Sequence, residues 1–236
     1  MTMTTTTPPE SLVRFAEGVW LRTAPVSFLG LRLTSTMAVL RLADGSLLVW
    51  SPTALTPDGR AQVEALGRVA HLYVPNVYHH LRLGEWASAF PEARVHAPRE
   101  LGKKRPDIRI DRVLGATPEP AFAGTLDELA IDGCRLQETA LLYRPAGTLL
   151  VADTVQNIGR PAHGWTATYA RMMGFYDRIA LSRALRWTAF KDRRAARRSI
   201  DQLLGHPFDR LVVGHGAPLV TGARDAVAGA YGWLRG

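Results

Sequence analysis

Short apolar runs separated by turn residues dominate the first half of the chain. Residues 13–15 and 19–23 flank Glu17-Gly18 and predict a hairpin. Residues 36–42 and 47–50 flank Ala43-Asp44-Gly45-Ser46, a stronger hairpin signal because Asp-Gly supports positive φ. A helix is predicted over 58–66, with Ala61, Val63, Ala65 and Leu66 as its apolar positions and Gly67 as its stop. A short apolar strand over 71–75 follows, then a loop, a helix around 81–90 and a strand over 94–97. Residues 126–131, 135–143 and 148–152 read as three successive strands, the last two joined by Arg144-Pro145-Ala146-Gly147. Beyond Asp153 the pattern turns helical over 163–176 and 192–204. A strand at 211–213, a Gly-His-Gly turn and an amphipathic helix over 223–234 complete it. Hairpins first, then αβ units, helices and a last strand predict a mixed α/β layer protein. No repeat or linker divides it, so one domain over 12–236 is expected, behind a disordered leader at 1–11.

Composition narrows the class. With 236 residues, 47% hydrophobic and 21% charged, the chain has the make-up of an ordinary globular protein, which excludes whole-chain disorder and fibrous repeats. No apolar stretch approaches the roughly 18 residues of a membrane span. The opening MTMTTTTPPE has neither the basic start nor the apolar core of a secretory signal. One cysteine, Cys134, permits no internal disulfide and no cysteine-built zinc site. A soluble, cytoplasmic protein without a membrane partner is expected. The net charge of +8 is uneven: residues 171–198 hold nine basic residues against Asp177 and Asp192, which leaves only +1 elsewhere. Arg193/Arg197 and Arg194/Arg198 stand at i, i+4, so a 183–198 arginine cluster would set like charges side by side on a helix. An anionic partner such as nucleic acid is one explanation, a solvated helix with arginines paired elsewhere the other.

Three histidines stand at strand ends. His79 and His80 close the segment Val74-Pro75-Asn76-Val77-Tyr78-His79-His80 after an apolar strand, and His215 follows Leu211-Val212-Val213-Gly214. A third strand, Leu149-Leu150-Val151-Ala152, delivers Asp153. A His after a strand is commonly a hydrogen-bonded structural residue and an Asp a turn former, so each is weak alone. Together they are a ligand set suited to zinc, iron or manganese. His71 and His96 fall inside strands and read as structural. His163 heads a helix and His206 a helix-to-strand turn, while Cys134 has no histidine near it in sequence.

The order of these motifs resembles the metallo-β-lactamase superfamily over about residues 12–235. That resemblance implies an αββα sandwich of two mixed β-sheets flanked by helices, with metals at one edge. Asp153 in LLVADT falls at the family's bridging Asp and His215 in VVGHG at its closing His. In the His-x-His-x-Asp-His loop, His80 matches the last His and His79 replaces the Asp. Pro75 and Val77 take the places of the first two histidines, and none occurs near 135–138, so the first metal site is lost. The Pro-Asn-x-x-His-His loop and DRRAARRSIDQLL…FDRLVVGHG look like a divergent branch of this fold of unassigned function. The surviving second site implies one divalent transition metal on His79, His80, Asp153 and His215, with Glu138 as a further ligand or general base and Tyr78 as a proton donor. The resemblance leaves three readings: a single-metal hydrolase of a small-molecule ester, lactone or phosphodiester; a catalytically silent binding protein; and a nucleic-acid-binding protein using the arginine cluster.

Overall fold

The computed structural model describes residues 11–235, so all but Ser11 of the expected leader lies outside the described residues. A seven-stranded sheet is built from β1 (Val13–Ala16), β2 (Val19–Phe28), β3 (Leu31–Arg41), β4 (Leu47–Trp50), β5 (Val69–Tyr73), β6 (Arg94–Ala97) and β7 (Arg112–Val113), side by side in that order. The first four strands pair antiparallel and the last four parallel. A second sheet runs β11 (Arg210–Val213), β10 (Thr148–Val151), β9 (Thr139–Tyr143), β8 (Leu126–Ala130), antiparallel except for β10 beside β11.

Period-two alternation sorts the strand residues into three apolar layers. Ala38, Leu40, Leu48 and Trp50 meet Leu141, Tyr143, Leu150, Ala152 and Val212 between the sheets. The alternate residues Met37, Val39, Leu47 and Val49 face outward, against Val63 of α1 (Pro57–Leu66), Leu83 and Trp86 of α2 (Leu83–Ala89), and Leu101 of α3 (Arg99–Lys104). On the far side Ala140, Leu142, Leu149, Val151, Leu211 and Val213 carry helices further along the chain. α4 (Gly164–Met173) and α5 (Arg183–Thr188) precede those principal covers. They are Ile200 and Leu203 of α6 (Arg193–Gly205) and Val227 of α7 (Ala223–Ala230). The central strands of both sheets are therefore buried on both faces, which is why so many of them read as continuous apolar runs. The expected αββα sandwich of two mixed sheets is the observed architecture. Among the described residues no helix is long and apolar enough to cross a membrane.

Three differences from the sequence reading have physical causes. β2 and β3 run on as a hairpin to Phe28 and Leu31, well past the expected 19–23 and 36–42, and apart from Leu31 their distal residues are half-buried or exposed. The expected strand over 135–143 begins only at Thr139, because Arg135 N–H bonds the Ala189 carbonyl and the Leu136 carbonyl accepts from Val77, drawing the chain off the ladder. α5 is absent from the sequence reading, its six residues carrying no long apolar period.

At one end of the sandwich the two sheets are bonded backbone to backbone. Thr36 N–H donates to the Gly214 carbonyl at 2.9 Å, and Thr139 N–H donates to the Pro75 carbonyl at 2.9 Å. The loops after β5, β10 and β11 all open at this end.

Candidate metal centre

The loop after β5 is shaped by Asn76. Its side-chain oxygen accepts from Tyr78 N–H at 2.9 Å and His79 N–H at 3.1 Å, an Asx turn that folds the chain back under itself. The same amide donates to Glu138 Oε2 at 2.9 Å and Asp153 Oδ2 at 2.8 Å, so this fully buried side chain fixes the loop and the carboxylate together. His79 turns inward, its Nε2 3.4 Å from Asp153 Oδ2. His215 Nε2 lies 3.1 Å from Asp153 Oδ1. Ligand atoms about 2.1 Å from one tetrahedral ion stand roughly 3.4 Å apart, so these spacings fit a shared cation.

The two glycines of the Gly-His-Gly turn are required by close approach. A Cβ on Gly214 would stand 2.7 Å from the Ala152 carbonyl and 2.8 Å from His79 Cε1. Gly216, at φ +105°, lies against the Asn157 backbone with no room for a side chain.

The outer nitrogens are also engaged. His215 Nδ1–H donates to the Thr34 carbonyl at 2.7 Å, so Nε2, facing Asp153, is the nitrogen that a metal would take once its proton is displaced. His79 Nδ1 lies 2.6 Å from the Ser51 hydroxyl. Burial opposes ionisation of Asp153, but the charge of His79 and hydrogen bonds from both imidazoles hold its carboxyl well below the usual range. For His215, burial pulls downward and the Asp153 hydrogen bond and charge outweigh it, raising the imidazole above 6.5. A carboxylate between two imidazoles, each secured from outside, is a two-histidine, one-carboxylate donor set suited to a divalent transition metal.

A second group of metal-binding residue types, His71, His96 and Glu119, is more deeply buried. Its outer partner has the opposite polarity. Arg112 Nε donates to His96 Nδ1 at 2.9 Å, so the neutral ring carries its proton on Nε2 and faces His71 Nδ1 at 2.9 Å. Glu119 lies 2.9 Å from the Arg94 guanidinium. Burial, then the Arg112 charge, push His96 down to about 2. The two rings are matched to each other and to Arg112, although Glu119 Oε2 makes no hydrogen bond, so the group is a buried relay and a poorer ligand set than the first.

The other expected site residues lie apart from the converging three. His80, adjacent to His79 on a turn, faces the opposite way: its Nδ1 is 3.3 Å from Arg105 Nη1, and burial with Lys104 and Arg105 lowers its pKa. Two cations beside it make it unsuited to a fourth ligand. Glu138 was expected as a ligand or base, yet it lies beneath the site at 1% exposure. Its oxygens accept from Asn76, from the backbone N–H groups of Ala152, Asp153 and Thr154, and from the Thr154 hydroxyl. Burial, then the Asp153 charge, push its pKa up. With no free acceptor and no route to substrate, it supports the Asp153 turn. Tyr78 is half-exposed, and the Lys104 ammonium of α3 sits 5.0 Å over its ring. Ser51 and Thr34 escaped the sequence reading; the only trace is a polar residue ending the fully apolar strand β4.

The chain matches no protein-family model and no curated protein sequence. Its likeness is to solved structures. A metallo-β-lactamase from Pontibacter korlensis aligns with TM-score 0.66 at 12% identity, over 95% of this chain and 98% of that one. A metallo-β-lactamase from Hirschia baltica aligns at 0.60 and 11% identity, over 95% and 97%. The metal-soaked Flv1 flavodiiron core from Synechocystis sp. PCC6803 aligns at 0.64 and 10% identity, over 95% of this chain and 60% of that one. At this level of identity the likeness is one of fold, two mixed sheets face to face with helices on both outer sides. The chain has the metallo-β-lactamase fold.

Proposed function

We propose that this protein is a single-metal hydrolase holding one divalent transition metal, zinc, iron or manganese, on His79, Asp153 and His215. The observation that carries the reading is the convergence of both imidazole Nε2 atoms on one carboxylate while both Nδ1 atoms are engaged from outside. Three protein ligands leave room for water and substrate, as in catalytic rather than structural sites. A metal bound there would polarise a substrate oxygen and lower the pKa of a bound water. The chain's own part is to hold the three ligands and to limit access. Asn76 and Glu138 fix Asp153 from below, Thr34 fixes His215, and Ser51 fixes His79. The His215 side chain is the most open of the three at 16%, against 5% for His79, so substrate approaches from the His215 side. The low exposure of all three side chains favours a small-molecule ester, lactone or phosphodiester.

A nucleic-acid partner gains less support. Arg186 and Arg193 both lie on the Trp233 ring, at 5.6 and 5.5 Å, Arg183 bonds the Met172 carbonyl, and Arg197 pairs with Asp201 at 3.7 Å. Much of the cluster is thus engaged within the fold.

The test is metal content per chain by elemental mass spectrometry, on protein purified without a histidine tag or chelator. About one equivalent in the parent, lost in His215→Ala and Asp153→Ala variants that stay folded, is the expected result. Parent protein that takes up no metal on incubation with zinc, iron or manganese refutes the reading and favours a non-catalytic binding protein.

A further inference from the structure

Ser51 is in an unusual place for its residue type. It directly follows β4, in which Leu47 and Val49 face the helices while Leu48 and Trp50 face the inner layer. Continued alternation would send residue 51 to the helix side with Leu47 and Val49. Instead its backbone enters the left-handed region at φ +52°, a conformation that favours glycine. The Ser51 N–H is still anchored to the Tyr73 carbonyl at 2.9 Å. Its hydroxyl, 2% exposed as part of the residue, arrives 2.6 Å from His79 Nδ1. A non-glycine residue held in this region beside a functional group is backbone strain used for placement.

The two imidazoles are therefore held by different rules. Thr34 offers His215 a carbonyl, which can only accept, so His215 Nδ1 must carry a proton. Ser51 offers His79 a hydroxyl, which can donate or accept. When Nε2–H faces Asp153, Nδ1 can accept from the Ser51 O–H. For Nε2 to act as a ligand its proton must leave, and the ring then carries a proton on Nδ1, which Ser51 can accept.

We propose that Ser51 is the positioning residue that directs His79 Nε2 at the metal centre, its two-way hydroxyl letting the ring exchange tautomers without moving. The link to metal affinity rests on the single-metal reading above; the control of the His79 ring does not.

Two readouts test it, zinc affinity by chelator competition and the ¹⁵N shifts of the His79 ring. Ser51→Gly removes the hydroxyl while relieving the backbone, so its unfolding midpoint should equal or exceed the parent's. Zinc should nevertheless bind about 10- to 100-fold more weakly, the usual cost of losing an outer-shell partner. Ser51→Asn, which tolerates the left-handed region and carries both a donor and an acceptor, should recover most of that loss. In the metal-free parent, Ser51→Gly should shift the His79 Nδ1 resonance, because the hydroxyl 2.6 Å away is removed. Parent-like zinc affinity in Ser51→Gly, zinc loss only in step with loss of the fold, or unchanged His79 shifts would overturn the proposal. Should the parent bind no metal at all, the hydrolase reading falls, while the His79 shifts of parent and Ser51→Gly still decide the role of Ser51.

Discussion

Replacing Glu138 by glutamine separates a structural carboxylate from a catalytic one. The substitution keeps shape and volume but turns one acceptor oxygen into a donor. Oε2 accepts from Asn76 Nδ2 at 2.9 Å and Asp153 N–H at 2.8 Å, and Oε1 from Ala152 N–H at 3.1 Å and the Thr154 hydroxyl at 2.6 Å. Whichever way the amide is turned, its NH₂ meets donors. The less costly flip sets NH₂ against Thr154, whose hydroxyl can rotate, and still leaves Ala152 N–H without an acceptor. One buried donor unmade and charge-assisted bonds weakened amount to about 2–4 kcal/mol, a large share of the roughly 5–15 kcal/mol that holds a domain folded. Urea denaturation should show this as a lower midpoint at unchanged slope. A loss below about 1 kcal/mol would refute the reasoning, since it would mean that Glu138 already carries a proton or that its neighbours have other acceptors. A general base would behave in the opposite way, with an intact fold and lost turnover.

His80→Ala should keep the parent metal content, because His80 faces Arg105, whereas His79→Ala should lose it; elemental analysis of both distinguishes a three-residue ligand set from a four-residue one. Gly214→Ala should lower zinc affinity by displacing His79, whose Cε1 would lie 2.8 Å from the new Cβ. Stability should fall in acid. His71 and His96 are kept neutral chiefly by burial, both below the ordinary 6.5 and His96 at about 2. The unfolded chain therefore takes up protons there first as pH drops. The contribution is complete above about pH 6.5 and is lost below it, at up to about 1.4 kcal/mol per pH unit for each ring. His96→Gln should flatten that slope by one ring's worth in denaturant titrations between pH 6 and 4. Reversing the charges of Arg194 and Arg198 should leave metal content unchanged, and salt-dependent binding to an RNA or DNA oligonucleotide that disappears in this variant would revive the nucleic-acid reading.

The sandwich was legible because its strands are buried on both faces and therefore announce themselves as apolar runs, Leu47–Trp50, Val69–Tyr73 and Thr148–Val151 above all. The far half of the β2–β3 hairpin was not. Phe28 there is 59% exposed and Leu31 is buried, and an element with so few buried positions carries little period-two signature. The loop after β5 was legible as a cluster of metal-binding residue types but not as geometry. Adjacent histidines cannot reveal which of them turns inward, since that is settled by the Asn76 Asx turn and by the Arg105 beside His80. Glu138 illustrates a further limit: a carboxylate close in sequence to a strand end can sit under a site or in it, and only the backbone donors around it distinguish the two. Ser51 left only the trace of a polar residue after an apolar strand, because its position depends on a backbone turn that reverses the strand's own alternation.

The hydrogen bonds that join the two sheets at the site's end carry a mechanical consequence. His79 belongs to the larger sheet, Asp153 and His215 to the smaller, and Thr36 N–H to Gly214 and Thr139 N–H to Pro75 span the gap between them. The spacing of the three side chains therefore gauges how one sheet is registered on the other. A slide of the layers, wherever along the sandwich it begins, arrives at this edge as a change in the separation of Nε2 and carboxylate. An ion seated there would pin that slide from the edge, so that amides deep in both sheets, far from any ligand, would exchange their hydrogens more slowly whenever the centre is filled.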